Sequence, residues 1–222
     1  MKIKHFSKVL AVMLVVSPLA AAANSVYLDQ IGNANSITID QVGSGNMVGT
    51  SASLASLTSG NSNTVVVAQT GDNNTMLYKL IGNGSALTST VNGNTNQSTI
   101  TCGNAGCGAS VITETVTGGA NTLTTNITGS ANQLVTTVTG NTNTVTYNLE
   151  TPNARVTNTI SGDSNTMTST MTGSPVGNGH SLTTSVNGNS NTITTVQGGS
   201  AATTVNINIA GMGNSVVVRT SN

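Results

Sequence analysis

The sequence predicts an all-β protein, a β-solenoid of about 22-residue coils, each built from two 11-residue strand-turn units. Three observations carry this prediction. A Gly-x-x-Asn turn recurs at intervals that are mostly eleven residues. Between turns, apolar and small polar residues alternate with period two. Only 5% of the residues are charged, yet the apolar ones keep a fixed spacing, which a disordered polar chain does not do. With the turn Gly as position 1, Asn falls at position 4, an apolar residue at 6, and Gln or an aliphatic residue at 10.

Alternation over positions 4 to 11 describes a strand with one buried face. Gly tolerates positive φ and Asn favours bends, so the first residues of each unit form the turn. Two units folded face to face make one coil, giving on the order of nine coils and a length of about 40 Å. Identical positions then lie above one another. On this arrangement Asn35, Asn46, Asn63 and Asn74 are expected in inward ladders of amide hydrogen bonds, as are Gln30, Gln41 and Gln69. The simpler role for the Asn residues is that of turn formers. Gly32, Gly43 and Gly71 are the expected turn glycines.

Taken in order, residues 1–23 read as a secretory signal peptide. Lys2, Lys4 and Lys8 precede an apolar run over residues 9–16 that is too short to span a bilayer, and Ala21-Ala22-Ala23 offers a cleavage site. Residues 24–222 are then one repeat domain, and the repeat starts at once. Its basic residues are Lys79, Arg155 and Arg219, against Asp29, Asp40, Asp72, Glu114, Glu150 and Asp163. No basic patch is available for a phosphate backbone, which argues against nucleic acid as a partner.

The period is interrupted at 49–59, where six extra residues separate Gly43 from Gly60, at 102–117, at 173–176 and at 198–205. The expectation is that these are loops bulging from one edge between units. Pro152 and Pro175 fall in turns, as a continuous strand ladder requires.

Nothing in the chain argues for an enzyme, and none is expected. The carboxylates occur singly and read as solvated charges, Asp29 and Asp40 falling on opposite faces of a coil. His180 takes an Asn position and reads as a ladder substitute; no metal site or triad can be assembled around it. Cys102 and Cys107 can close a small disulfide in an oxidising compartment, with free thiols as the alternative. Neither a cofactor nor a small-molecule substrate is expected.

The segments Gln30-Ile31-Gly32-Asn33-Ala34-Asn35 and Gln41-Val42-Gly43-Ser44-Gly45-Asn46 repeat Gln-x-Gly-x-x-Asn in register, and Gln69-Thr70-Gly71-Asp72-Asn73-Asn74 repeats it again. In this the chain resembles the curlin subunits of bacterial curli fibres. The resemblance implies a secreted β-solenoid amyloid that polymerises with itself at the cell surface, assisted by an outer-membrane export pore and a nucleating subunit. It assigns the stacking role to Gln30, Gly32, Asn35, Gln41, Gly43, Asn46, Gln69, Gly71 and Asn74. The chain departs from the family in turning aliphatic at position 10 over most later units, and in starting its repeat where the family carries a Gly- and Asn-rich leader.

The expected function is therefore that of a fibre subunit for adhesion and biofilm matrix, either the bulk subunit or a minor nucleating or capping one. The alternative is a monomeric solenoid that binds ice or acts as an adhesin through outward Thr pairs at Thr122 and Thr124, Thr144 and Thr146, and Thr166 and Thr168.

Overall fold

The computed structural model describes residues 11–16, 22–103, 107–173 and 179–221. Two parallel sheets face each other. The nine-stranded sheet stacks, along its axis, β1 (Ala11–Val16), β4 (Ser36–Val42), β7 (Thr64–Thr70), β9 (Ala86–Asn92), β11 (Val111–Thr117), β13 (Gln133–Thr139), β15 (Arg155–Ser161), β17 (Ser181–Asn187) and β19 (Thr204–Ala210). The eleven-stranded sheet stacks β2 (Ser25–Val26), β5 (Met47–Val48), β8 (Thr75–Ile81), β10 (Gln97–Cys102), β12 (Thr122–Ile127), β14 (Thr144–Glu150), β16 (Thr166–Thr172), β18 (Thr192–Gly198) and β20 (Ser215–Ser221). In that sheet β3 (Leu28–Ile31) also pairs with β6 (Ser56–Ser59), and β6 with β8. The chain crosses from one sheet to the other at every regular turn, so the architecture is a β-solenoid of about eight turns.

The alternating pattern sets the layers. In β7, Val65, Val67 and Gln69 are buried while Thr64, Val66, Ala68 and Thr70 point away from the core. Position 6 of the nine-stranded sheet forms a continuous apolar row from Ile37 through Val65, Leu87, Ile112, Leu134, Val156 and Leu182 to Val205, all buried. Burying each such side chain contributes about 1.5–3 kcal/mol, and those from Val65 to Leu182 are covered by apolar side chains above and below. The outer faces are lined with Thr, Ser and Asn, and branched Thr suits the pleated backbone.

The regular turn has a defined backbone. Gly140 at position 1 has φ 129°, and Thr142 at position 3 sits in the left-handed region at φ 56°. A Cβ on Gly140 would lie 2.1 Å from the carbonyl oxygen of Gly162 in the next coil. Gly is therefore required twice over, by conformation and by the close passage of the neighbouring backbone.

The interruptions are distributed unequally. From β4 onward, turns leading from the nine-stranded into the eleven-stranded sheet, such as 71–74, 118–121 and 188–191, all keep four residues. On the opposite edge the connections from β10 to β11, β12 to β13, β16 to β17 and β18 to β19 are longer than four residues. Residues 49–59 differ from the expectation. Their extra length lies inside a unit, because β5 and β6 are two parts of one strand level in the same sheet. Gly49, at φ 72°, lets the chain leave after Val48, and the N–H of Ser56 rejoins the sheet by donating to the carbonyl oxygen of Tyr27 at 2.9 Å.

Of the predicted signal peptide, residues 1–10 and 17–21 lie outside the described residues, as do Pro175 and residues 104–106 between the two cysteines. Residues 11–16 form β1, in parallel register with β4.

Candidate functional site

Coil closure places every second unit on the same edge, so the position-4 residues divide into two axial rows. One row is unbroken: Asn24, Asn46, Asn74, Asn96, Asn121, Asn143, Asn165, Asn191 and Asn214. Each member from Asn74 to Asn191 makes the same set of bonds, whereas the Asn46 amide donates to the carbonyl oxygens of Gly71 and Val42. The Asn143 side-chain amide donates to the carbonyl oxygen of Gly162 at 2.8 Å and to Asn121 Oδ1 at 3.0 Å. Its own Oδ1 accepts the backbone N–H of Asn165 at 2.9 Å and the Asn165 amide at 3.1 Å. The amide group is buried and its donors and acceptor are used, which removes the penalty of a dry unpaired polar group. Successive members are 22 residues apart, or 23, 25, 26 and 28 where the chain carries insertions.

The second row holds Asn35 and Asn63 and then degenerates. Asn35 donates to the carbonyl oxygen of Gly60 at 2.8 Å and accepts the N–H of Asn63 at 2.9 Å. Ser85, Ser110, Asn132, Ala154, His180 and Thr203 follow along the same edge. His180 is buried, with Nδ1 2.8 Å from Thr203 Oγ1 and Nε2 3.0 Å from the carbonyl oxygen of Thr172. Asn35 and Asn46 thus lie on opposite edges.

The glutamines divide likewise. Gln41 donates to Gln69 Oε1 at 2.8 Å, and Gln69 donates to the carbonyl oxygen of Met47 at 3.3 Å. Gln30 lies in the other sheet, in register with Thr58, and is not part of that row. Gly32, Gly43 and Gly71 all have positive φ and each faces a turn backbone of the next coil. Cys102 and Cys107 are joined in a disulfide, their Cα atoms 5.5 Å apart.

Two further rows escaped the sequence reading. At position 2, an exposed side chain accepts the N–H of its counterpart in the preceding coil, as in Asn94 to Asp72 at 2.8 Å and Asp163 to Asn141 at 2.7 Å. Asp72 accepts both the hydroxyl and the N–H of Ser44, and those bonds hold its carboxyl below the usual range. The Asn and Asp residues that follow most of the turn Gly residues were the available signal.

Position 8 forms the middle of the core, and there the apolar rule lapses. Ser89, Glu114, Thr136, Asn158 and Thr184 stack in register on the nine-stranded sheet. Ile100, Thr125, Tyr147, Ser169 and Thr195 stack on the other. Glu114 is therefore a correction to its reading as a solvated charge: it is only 1% exposed. Its Oε2 accepts the hydroxyl of Ser98 at 2.6 Å. Ser98 is itself an exception, a polar residue at apolar position 6, and the two irregularities compensate each other across the core. Burial pushes the Glu114 carboxyl up to about 7, against the opposing hydrogen bonds from Ser98 and Thr125. Burial also raises Tyr147, whose hydroxyl is 3.3 Å from Thr136 Oγ1. An inward position 8 was legible from strand alternation alone, and it would have placed Glu114 in the core.

On the outer face of the eleven-stranded sheet, Thr122, Thr144, Thr166 and Thr192 fall in one register row and Thr124, Thr146, Thr168 and Thr194 in the next but one. Among the described residues no group of three His, Cys, Asp or Glu side chains is placed to share a metal ion. No protein-family model matches the chain, and neither a curated protein nor a solved structure matches it.

Proposed function

We propose that this chain is a secreted structural subunit that assembles end to end into cross-β fibres, in the manner its resemblance to curlin repeats implies. The observation that carries this reading is the state of the coil ends. Strand β20 pairs only with β18, and β19 only with β17, so each keeps one unpaired backbone edge among the described residues. Asn214 ends the described ladder, and it is exposed. An unpaired edge with matching side-chain rows templates another copy of itself. Adhesion and biofilm matrix are the roles such a fibre serves, with self as principal partner and a nucleating subunit and export pore as auxiliary ones.

The test is thioflavin-T fluorescence of residues 24–222 diluted from denaturant, followed by fibre diffraction. The expected result is a lag that seeds shorten, with reflections near about 4.7 and 10 Å. A monomer that persists for days without growth overturns the reading.

The four-coil double row of Thr pairs supports a second reading, a monomeric solenoid that binds ice. Its hydroxyls repeat at about 4.8 Å along the axis and about 6.7 Å across it, a flat two-dimensional array. Thermal hysteresis in micromolar solutions is the expected outcome of that reading. Replacing Thr146 and Thr168 with Lys should then abolish it, and a wild-type protein without hysteresis removes the idea.

A further inference from the structure

Within residues 24–222, which leave out β1 with the segment predicted to be removed, the first described strand level, β2, and the last, β20, both lie in the eleven-stranded sheet. β2 with β3, and β5 with β6, each count as one level, so that sheet has nine levels and the other has eight. Within residues 24–221 the described half-coils, nine and eight, number seventeen, which is odd. The next position along the path lies above β19, in the sheet to which the first strand of a following copy does not belong.

We propose that consecutive copies of residues 24–222 stack with a half turn about the fibre axis, so that β4 of one copy lies on β20 of the preceding one, and β2 and β3 lie on β19. This rests on the fibre reading above and specifies its junction. A half turn works because both kinds of unit use the same inward positions. Without it, one strand level is missing between β19 and the next β4, leaving the backbone edge of β19 unpaired and its apolar row uncovered. An unpaired buried backbone is what a continuous cross-β stack does not tolerate.

The side chains at the two ends agree with the half turn. In the regular row, an Asn amide donates to the Gly that opens the next turn, and its Oδ1 accepts from the Asn that closes it. With a half turn, Asn214 meets the turn 32–35, which has both Gly32 and Asn35. Without it, Asn214 meets Asn24, which no Gly precedes by three residues. The inward faces match as well, Val216 on Ile37 and Val218 on Ile39. At position 9 the exposed Arg219 falls beside the exposed Asp40 of the next copy, one strand spacing away. In the unrotated junction Arg219 would instead fall beside Asp29. Arg219 is thus a junction residue, and its acidic partner reports the geometry.

The experiment measures seeded elongation of residues 24–222 carrying charge reversals, together with the axial repeat of unmutated fibres by electron microscopy. Arg219→Glu is expected to slow elongation about tenfold, since like charges on adjacent strands repel. Adding Asp40→Arg to the same chain is expected to restore growth, whereas adding Asp29→Arg is not. Unmutated fibres are expected to repeat every two subunits, at about 80 Å. Rescue by Asp29→Arg, or a repeat of about 43 Å from a single subunit, overturns the half turn and leaves the fibre standing. Failure of the unmutated chain to form fibres at all removes the fibre reading beneath it.

Discussion

Replacing Gly140 with Ala is expected to disrupt the coil around it, with a loss of about 4 kcal/mol or more. The added Cβ would sit 2.1 Å from the carbonyl oxygen of Gly162 at a φ of 129°, and that oxygen belongs to backbone that the adjacent coils hold in place. Asn143→Ala should cost somewhat less, about 3 kcal/mol, because it strands the Gly162 carbonyl and the Asn165 N–H without partners in a dry edge. Asn141→Ala is the matched control. Asn141 occupies the exposed position 2 of the same turn; its side chain accepts the Gly119 N–H and donates to Asp163 Oδ1, where water can substitute, so its loss should stay within about 1 kcal/mol. Urea denaturation followed by circular dichroism, below the concentration at which the chain assembles, compares the three. Equal losses for Asn141 and Asn143 would show that the inward row adds nothing beyond turn formation.

The second large effect is on pH dependence. The Glu114 carboxyl is raised by burial from 4.5 to about 7 in the folded chain, so the fold binds its proton more tightly than the unfolded chain does. Its contribution is therefore complete below about pH 4.5, declines as pH rises, and is fully lost above about pH 7. The span corresponds to about 3 kcal/mol, a sizeable part of a domain's net stability. Carboxylates that gain ion pairs on folding act in the opposite direction. Glu114→Gln keeps an acceptor for the Ser98 hydroxyl and removes the charge, so it should flatten the profile and stabilise the protein at pH 8 by a similar amount. The denaturation midpoint measured between pH 4 and 8 decides it. A variant whose profile overlays the parent's would rule out Glu114 as the source.

Much of this follows from the order of residues. The eleven-residue period, the Gly at position 1 and the inward direction of positions 4, 6 and 10 are local properties, because strand alternation and turn conformation act within one unit. Asn46 and Asn74 could be indexed as inward from the sequence. Glu114 could have been indexed the same way, at position 8, but a lone carboxylate in a polar chain suggests a solvated face until its strand is counted through.

Which units touch is a different kind of information. Asn46 bonds Asn74 across 28 residues and Asn121 bonds Asn143 across 22, and these separations depend on where insertions lie between them. The two kinds of half-coil are alike in sequence, so only closure of the coil sends Gln41 and Gln69 to one sheet and Gln30 to the other. The pairing of Ser98 with Glu114 across the core, and the gathering of long loops on one edge, are likewise consequences of closure. The periodic residues alone determined the unit and its buried face. Only the stacking of one coil on the next, a long-range backbone pairing, decided which side chains meet.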